Sequence, residues 1–339
     1  MKTSYTTYGC MLLLPAHAFA SLAWLEEIQH RDPDDLRRLY QLLAKHLKIS
    51  HIAINKPIPP QQADGSDHNF IRSPINFTPL FGDFGPSTCQ SPPTQEDFDE
   101  AFWVTAKQNG IFQTWAPRWT MFSRGNISEK ARLMSLPSVQ QAVKEGNVNG
   151  RGCAAADLYA GIGYFTFSYL MAGCSKVLCW EFNPWSIEGL KRGAAANKWK
   201  LATYDSNSCS WDPSEANARL LVFKESNDWA VARKRQNAAS TPPVRHVNCG
   251  LLPTSRGSWG TAVRMLDAEM GGWIHVHENL AIYEIGERVQ QIRNAFQEVV
   301  DRLNANVFVE VQDVNRLKSY APGVMHCVID LHIPSWLPQ

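Results

Sequence analysis

The sequence predicts an α/β fold: a smaller amino-terminal α+β region, then an open twisted sheet of seven strands with its last pair antiparallel and helices on both faces. Three observations carry this. First, the apolar Cys153-Ala-Ala-Ala156 leads through Asp157-Leu-Tyr-Ala-Gly-Ile-Gly-Tyr-Phe165 into Thr166-Phe-Ser-Tyr-Leu-Met171. This reads as strand, glycine turn, helix. Second, runs suited to strands alternate with amphipathic stretches from residue 152 onward. Third, Ile285, Val289, Ile292, Phe296, Val299 and Leu303 recur every three or four residues, which marks one long helix over 284–304.

Taken in order, residues 8–14 form a strand and residues 33–46 a helix. Leu36, Leu39, Leu42, Leu43 and Leu47 make its apolar face, and Arg37, Arg38 and Lys45 lie opposite, as on a solvated surface. Lys2, Met11-Leu-Leu-Leu14 and Ala18-Phe-Ala20 imitate a secretory signal. That apolar run is short, however, and Pro15 and His17 interrupt it, so residues 1–24 are expected to be a strand and turn of the folded protein and to be retained. Residues 55–100 are rich in Pro, Gly, Asp and Ser and read as irregular. Residues 101–135 gather tryptophans, Gln108-Asn-Gly-Ile111 and two arginines just before the glycine turn, either as a β-rich packing layer or as a wall of a binding site. The division expected is 1–138 and 139–339.

Beyond 152, strands are expected at 153–158, 176–181, 219–224, 244–251, 272–277, 307–313 and 325–332, and helices at 164–172, 184–198, 261–270 and 284–304. Residues 205–217 are polar, and 233–243 run from Arg233-Lys-Arg235 into turn residues; the basic tripeptide reads as a solvated loop. No internal repeat is visible.

Composition narrows the class. Hydrophobic content of 44% and charged content of 19% suit an ordinary globular protein. A net charge of +1 leaves any nucleic-acid contact to a local patch. The eight cysteines contain no Cys-x-x-Cys pair, and several sit in apolar runs, which favours free thiols in a reducing, cytoplasmic setting and argues against a zinc module. No stretch approaches the roughly 18 apolar residues of a membrane span.

Gly161 and Gly163 place two residues without a Cβ where a tight turn meets a helix start. The next expected strand ends in Glu181, positioned to accept both hydroxyls of a ribose. The unit thus suits a nucleoside. A dinucleotide fingerprint wants a third glycine where Thr166 stands. Asp157 before the turn and Glu181 after the next strand resemble instead the S-adenosylmethionine site of a class I S-adenosylmethionine-dependent methyltransferase-like Rossmann sheet. The dinucleotide and a plain strand–helix turn remain the alternatives. Further strand ends offer Ser226 and Asn227 for an adenine edge, and Asn248-Cys-Gly-Leu-Leu-Pro253 where such enzymes address their substrate. His275 and His277 share one strand face, but no third ligand has metal-binding spacing, so no metal is expected.

Longer motifs narrow the resemblance. Leu12-Leu-Leu-Pro-Ala-His-Ala-Phe19, Ser73-Pro with Leu80-Phe-Gly-Asp-Phe-Gly85, Trp115-Ala-Pro-Arg-Trp-Thr-Met-Phe-Ser-Arg-Gly-Asn-Ile-Ser-Glu-Lys130, the glycine turn, Asn248-Cys-Gly-Leu-Leu-Pro-Thr-Ser255, His275-Val-His277 and Lys318-Ser-Tyr-Ala-Pro-Gly-Val324 occur in this order. Together they resemble the wybutosine-synthesizing tRNA 3-amino-3-carboxypropyltransferases, over nearly the whole chain.

The resemblance implies an enzyme that moves the 3-amino-3-carboxypropyl group of S-adenosylmethionine onto the tricyclic guanosine at position 37 of phenylalanine tRNA, in the anticodon loop, and that works as a cytoplasmic monomer. Family cofactor contacts fall on Ser123, Lys130, Glu181, Ser226 and Asn227, beside Asp157, Gly161 and Gly163 of the turn. Lys130 suits the amino-acid carboxylate. Arg118, Asn248 and His277 are the candidates for a catalytic role. One departure stands out: the family's Gly-Asp-Asn reads Glu225-Ser226-Asn227 here, so the charged acceptor for adenine is missing. The rivals are a tRNA guanine-37 N1-methyltransferase, which would want a proton acceptor near the base, and a catalytically idle RNA-binding relative.

Overall fold

The structure, a computed structural model, describes residues 5–55, 77–205, 217–303 and 306–337. The chain divides into a smaller unit of residues 1–107, 112–123 and 184–193 and a larger unit of residues 108–111, 124–183 and 194–339.

In the smaller unit β1 (Thr6–Tyr8), β2 (Met11–Pro15), β3 (His51–Asn55) and β4 (Thr78–Phe81) form one sheet in that order, with β2 and β3 parallel. Met11 and Leu12 are buried strand residues, as the short apolar run predicted. The strand and turn expected over residues 1–24 run at their end into helix α1 (Leu22–His30), capped by the Ser21 hydroxyl. Helix α2 (Pro33–Leu47) starts where Asp32 caps it and Pro33 fits the first turn, and ends at Lys48 in the left-handed conformation. Its inner face is Leu36, Leu39, Tyr40, Leu43, Ala44 and Leu47, whereas Leu42 is exposed. A capping box formed by Thr94 and Asp97 opens α3 (Gln95–Glu100). The hairpin β5 (Val104–Gln108) and β6 (Ile111–Trp115) follows, and its tip, 108–111, counts with the larger unit. Stacked Trp119 and Trp185, with Trp103 and Phe98, form one aromatic cluster of the smaller unit.

The larger unit begins with α4 (Ile127–Ser135) and α5 (Pro137–Val148), helices that the broken pattern around Gly125 and Pro137 concealed. Then come β7 (Ala154–Asp157), α6 (Thr166–Ala172), β8 (Lys176–Trp180), α7 (Pro184–Ala196), β9 (Leu201–Asp205), β10 (Leu220–Lys224), α8 (Ala230–Gln236), β11 (Val244–Cys249), α9 (Trp259–Met265), β12 (Gly272–Ala281), α10 (Ile285–Arg302), β13 (Glu310–Ala321) and β14 (Val324–Ile333). The first ten residues of α7 count with the smaller unit.

The sheet order is β13-β14-β12-β11-β7-β8-β10-β9, eight strands and not the seven expected. The additional strand is β9, paired in parallel with β10 at the sheet edge. The six strands from β9 to β12 run parallel, and β14 is antiparallel to both of its neighbours. The chain leaves β7 toward β8 on one side and returns to β11 on the other. The strand order therefore switches between β7 and β11, and ligands of open α/β sheets bind at the carboxyl ends beside such a switch. Asp157 and Asn248 face each other across it in register.

A second difference is α8. Arg233-Lys-Arg235 is helical, and Arg233 is buried in a two-pronged ion pair with Glu225, at 2.9 and 2.7 Å. Lys234 donates to the Leu266 carbonyl at 2.6 Å, and burial lowers its pKa to about 8.

Candidate functional site

The glycine turn is held from below and from the side. Asp157, fully buried at the end of β7, accepts from the Asn248 amide at 3.0 Å and from the Thr166 hydroxyl at 2.7 Å. Burial raises its pKa while these donors oppose the rise. Thr166, the residue that breaks a dinucleotide fingerprint, is therefore a donor to Asp157. The Asp157 oxygens accept from Asn248, Thr166 and the Tyr159 backbone. Asn248, a catalytic candidate from the sequence, has its amide nitrogen on Asp157, and its oxygen is buried with no hydrogen-bond partner among the described residues.

Gly161 and Gly163 both have positive φ, +54° and +87°. A Cβ on Gly161 would stand 3.0 Å from the Tyr164 ring, and one on Gly163 would stand 2.7 Å from the Phe167 ring. The turn thus packs its own aromatics against the backbone as well as leaving it bare.

Glu181 follows β8 and reaches back to the turn. One carboxylate oxygen accepts from the Gly161 N–H at 2.8 Å; the other accepts from Phe182 and Asn183 at 2.9 and 2.8 Å. Burial raises its pKa, and these three backbone donors favour the charged form. A carboxylate offers about four acceptor sites. One therefore remains for a ribose hydroxyl, and a second hydroxyl would replace a backbone donor.

Asn227 donates to the Leu158 carbonyl at 2.8 Å, which ties the end of β10 to the start of the turn. Ser226 is exposed. It caps the short helical turn Asn227–Trp229 by accepting from the Asp228 N–H, and its hydroxyl donates to the Asp228 carboxylate at 2.8 Å. A carboxylate thus does stand at this strand end, two positions after the serine.

Lys130 is buried on α4. Its ammonium donates to Gln108 at 3.0 Å and lies 5.3 Å from the centroid of the Tyr164 ring, directly after the glycine pair. Burial, with a contribution from the nearby Lys318, lowers its pKa to about 7. The larger unit therefore brings together Lys130, Gly161, Gly163, Asp157, Glu181, Asn227 and Asn248. Ser123, half-buried, and Arg118, whose Nε is buried without a hydrogen-bond partner among the described residues, belong to the smaller unit.

His275 and His277 are both buried, and each lies within hydrogen-bond distance of another histidine. His277 contacts Phe165 of the turn, with centroids 4.8 Å apart, and lies 3.0 Å from a nitrogen of His326. Burial, then His275, pushes its pKa down to about 3. His275 lies 3.1 Å from His246 and 2.7 Å from Asp330. Asp330 in turn holds Arg132 at 2.7 and 3.2 Å, and Arg132 grips Glu129, which also accepts from Asn315. This buried chain, invisible in the sequence because Arg132 and Asp330 are so far apart in it, clamps α4 to β12, β13 and β14. Lys130 sits between its two residues on α4. Among the described residues no cluster of His, Cys, Asp or Glu has the arrangement of a metal site, and no helix is long and apolar enough to cross a membrane.

Comparison with known proteins adds the following. No family model matches the chain. It is 38% identical over 332 residues to the tRNA wybutosine-synthesizing protein 2 of Schizosaccharomyces pombe, covering 98% of this chain and 72% of that protein. It is 33% identical over 312 residues to the protein of the same name from Saccharomyces cerevisiae, covering 84% and 60%. Among solved structures it resembles P. horikoshii TYW2 in complex with MeSAdo, with a TM-score of 0.61 at 17% identity over 98% of this chain and 91% of that one. M. jannaschii TYW2 in complex with AdoMet gives a TM-score of 0.56 at 15% identity over 98% and 100%. The complex of aTrm5 with tRNALeu gives 0.59 at 16% over 97% and 72%. At these identities the structural matches establish the fold, that of S-adenosylmethionine-dependent methyltransferases.

Proposed function

The chain belongs to the tRNA wybutosine-synthesizing protein 2 family, and we propose that it transfers the 3-amino-3-carboxypropyl group of S-adenosylmethionine to the tricyclic guanosine at position 37 of phenylalanine tRNA. The observation that carries this reading is the buried Lys130 beside the glycine turn, at the opposite end of the turn from Glu181. A nucleoside held at Glu181 would point its amino-acid arm along the turn toward Lys130.

The bound cofactor supplies a sulfonium with three carbons open to in-line displacement, of which the γ-carbon leads to aminocarboxypropyl transfer with release of methylthioadenosine. A ring carbon of the tricycle forms the new C–C bond, the S–C bond electrons stay on sulfur, and the ring carbon's proton passes to solvent. The protein's part is orientation. Glu181 fixes the ribose, Asn227 and the Ser226–Asp228 pair border the adenine, and Lys130 draws the carboxylate so that the γ-carbon faces the RNA. Asp157 and Asn248 keep the turn in shape. The RNA is the anticodon loop of one tRNA, bound by a monomer in the cytoplasm. A fold neighbour seen with tRNALeu supports tRNA as the partner class.

A pH effect follows from Lys130. Near pH 8 a lysine with a pKa of about 7 is mostly neutral, and a carboxylate beside it favours the charged form. Cofactor binding at pH 8 is expected to take up about 0.9 proton at this side chain. Calorimetry in buffers of different ionisation enthalpy measures the uptake, and Lys130→Met removes this share. The apparent affinity accordingly declines as pH rises above 7. Equal uptake in parent and variant would contradict the role given to Lys130.

The reaction itself is tested by incubating the protein with S-adenosylmethionine and tRNA carrying the tricyclic guanosine, then measuring the mass of the nucleoside. Gain of the aminocarboxypropyl mass supports the reading; in a parallel incubation with unmodified tRNA, gain of a methyl on guanosine 37 would favour N1-methylation.

A further inference from the structure

We propose that Lys318 is the second cation on the amino-acid carboxylate of the cofactor, acting with Lys130, an assignment that rests on the reading of Lys130 above. Lys318 lies half-buried on β13, and its side chain runs along the backbone of Gly125. A Cβ on Gly125 would stand 2.5 Å from the Lys318 ammonium, 2.8 Å from its Cδ and 3.1 Å from its Cε. Gly125 does not have positive φ. Its backbone conformation is open to other residues, so the approach of Lys318 is the reason this position suits glycine.

Gly125 belongs to the short turn Arg124–Asn126 that runs directly into α4, and Lys130 is five residues further on. Lys318 is near enough for its charge to oppose protonation of Lys130. Two ammonium groups drawn to one end of one helix repel each other, and burial of Lys130 strengthens that repulsion. An anion between them reverses the sign. A carboxylate suits the place because each of its two oxygens can accept one ammonium. Lys318 is also half-buried along the turn that leads into α4, which favours a small anion over an RNA phosphate.

The consequence is selectivity for a ligand that keeps its amino-acid arm. Calorimetry on the full chain compares S-adenosylmethionine with methylthioadenosine, which has the nucleoside and sulfur but no carboxylate. Lys318→Ala is expected to weaken S-adenosylmethionine on the order of 10-fold and to leave methylthioadenosine unchanged. Gly125→Ala, which keeps the charge but displaces the side chain, is expected to show the same pattern more weakly. Equal losses for both ligands, or no loss for either, would overturn the assignment. So would a loss of tRNA binding with S-adenosylmethionine affinity intact, which would make Lys318 a phosphate contact. If Lys130→Ala weakens S-adenosylmethionine and Lys318→Ala does not, only this inference fails; if neither does, the reading of Lys130 fails as well.

Discussion

Asp330→Ala is expected to lower the unfolding free energy by about 3–5 kcal/mol, the cost of removing one partner from a buried ion pair. Asp330 stands between His275 and Arg132, both within hydrogen-bond distance, and is itself 4% exposed. Burial acts to raise its pKa, but His275 and Arg132 outweigh burial and hold it well below the usual carboxylate range. Without the carboxylate, Arg132 keeps Glu129 but loses its hold on β14, and α4 is no longer clamped through this pair. Urea unfolding measures the loss. Asp330→Asn keeps an acceptor in place and is expected to cost less. A change within about 0.5 kcal/mol for the alanine variant, the size usual for an indifferent surface site, would show that the chain of pairs does not hold α4.

The same region sets the acid limit of stability. His246 and His277 are buried and held neutral, the latter with a pKa of about 3 against 6.5 when unfolded. The unfolded chain therefore binds more protons below pH 6.5. The stability these groups contribute is present above that value and is lost as pH falls toward 3. Asp330, with its pKa depressed, adds a further loss below about pH 4. That second, lower part of the acid transition is expected to shrink in Asp330→Asn while the part beginning near 6.5 remains.

Glu181→Ala is expected to weaken S-adenosylmethionine binding on the order of 10- to 150-fold, corresponding to charge-assisted hydrogen bonds of roughly 1.5–3 kcal/mol. The alanine also strips the acceptor from the N–H groups of Gly161, Phe182 and Asn183. A second variant separates the two roles. Glu181→Gln keeps one acceptor oxygen, enough for Phe182 and Asn183, but turns its NH2 toward the Gly161 N–H; it is expected to cost less stability than the alanine and still to bind the cofactor more weakly. Parent-like binding by both variants would remove Glu181 from the ribose.

What could be read from the sequence was what is local. The β7 strand, the Gly161–Gly163 turn and Glu181 lie within some thirty residues and follow one another as strand, turn, helix, strand, so periodicity exposed them. Strand β9 escaped because Leu201–Asp205 is a short edge strand that continues straight into a polar stretch. Helix α8 escaped because Arg233 and Lys234 look like surface residues until Glu225 and the Leu266 carbonyl are brought to them. Thr166 counted against one ligand class in the sequence, and only the fold reveals it as a donor to Asp157. Lys130 was found through its motif, but its setting was not legible. Gln108, Tyr164 and Lys318 act on it from a hairpin tip, a glycine turn and an edge strand, and no spacing in the sequence joins them.

The most direct test of the transfer uses two preparations of S-adenosylmethionine, one labelled in the methionine carbon chain and one in the methyl group, each incubated with the protein and tRNA bearing the tricyclic guanosine. Chain label is expected to enter the RNA with release of methylthioadenosine, and methyl label is expected to stay out. Misplacement by about 1 Å can cost 100-fold in rate, so the orientation set by Lys130 and Glu181 should make the outcome one-sided. Methyl label in the RNA, with S-adenosylhomocysteine as the co-product, would contradict it.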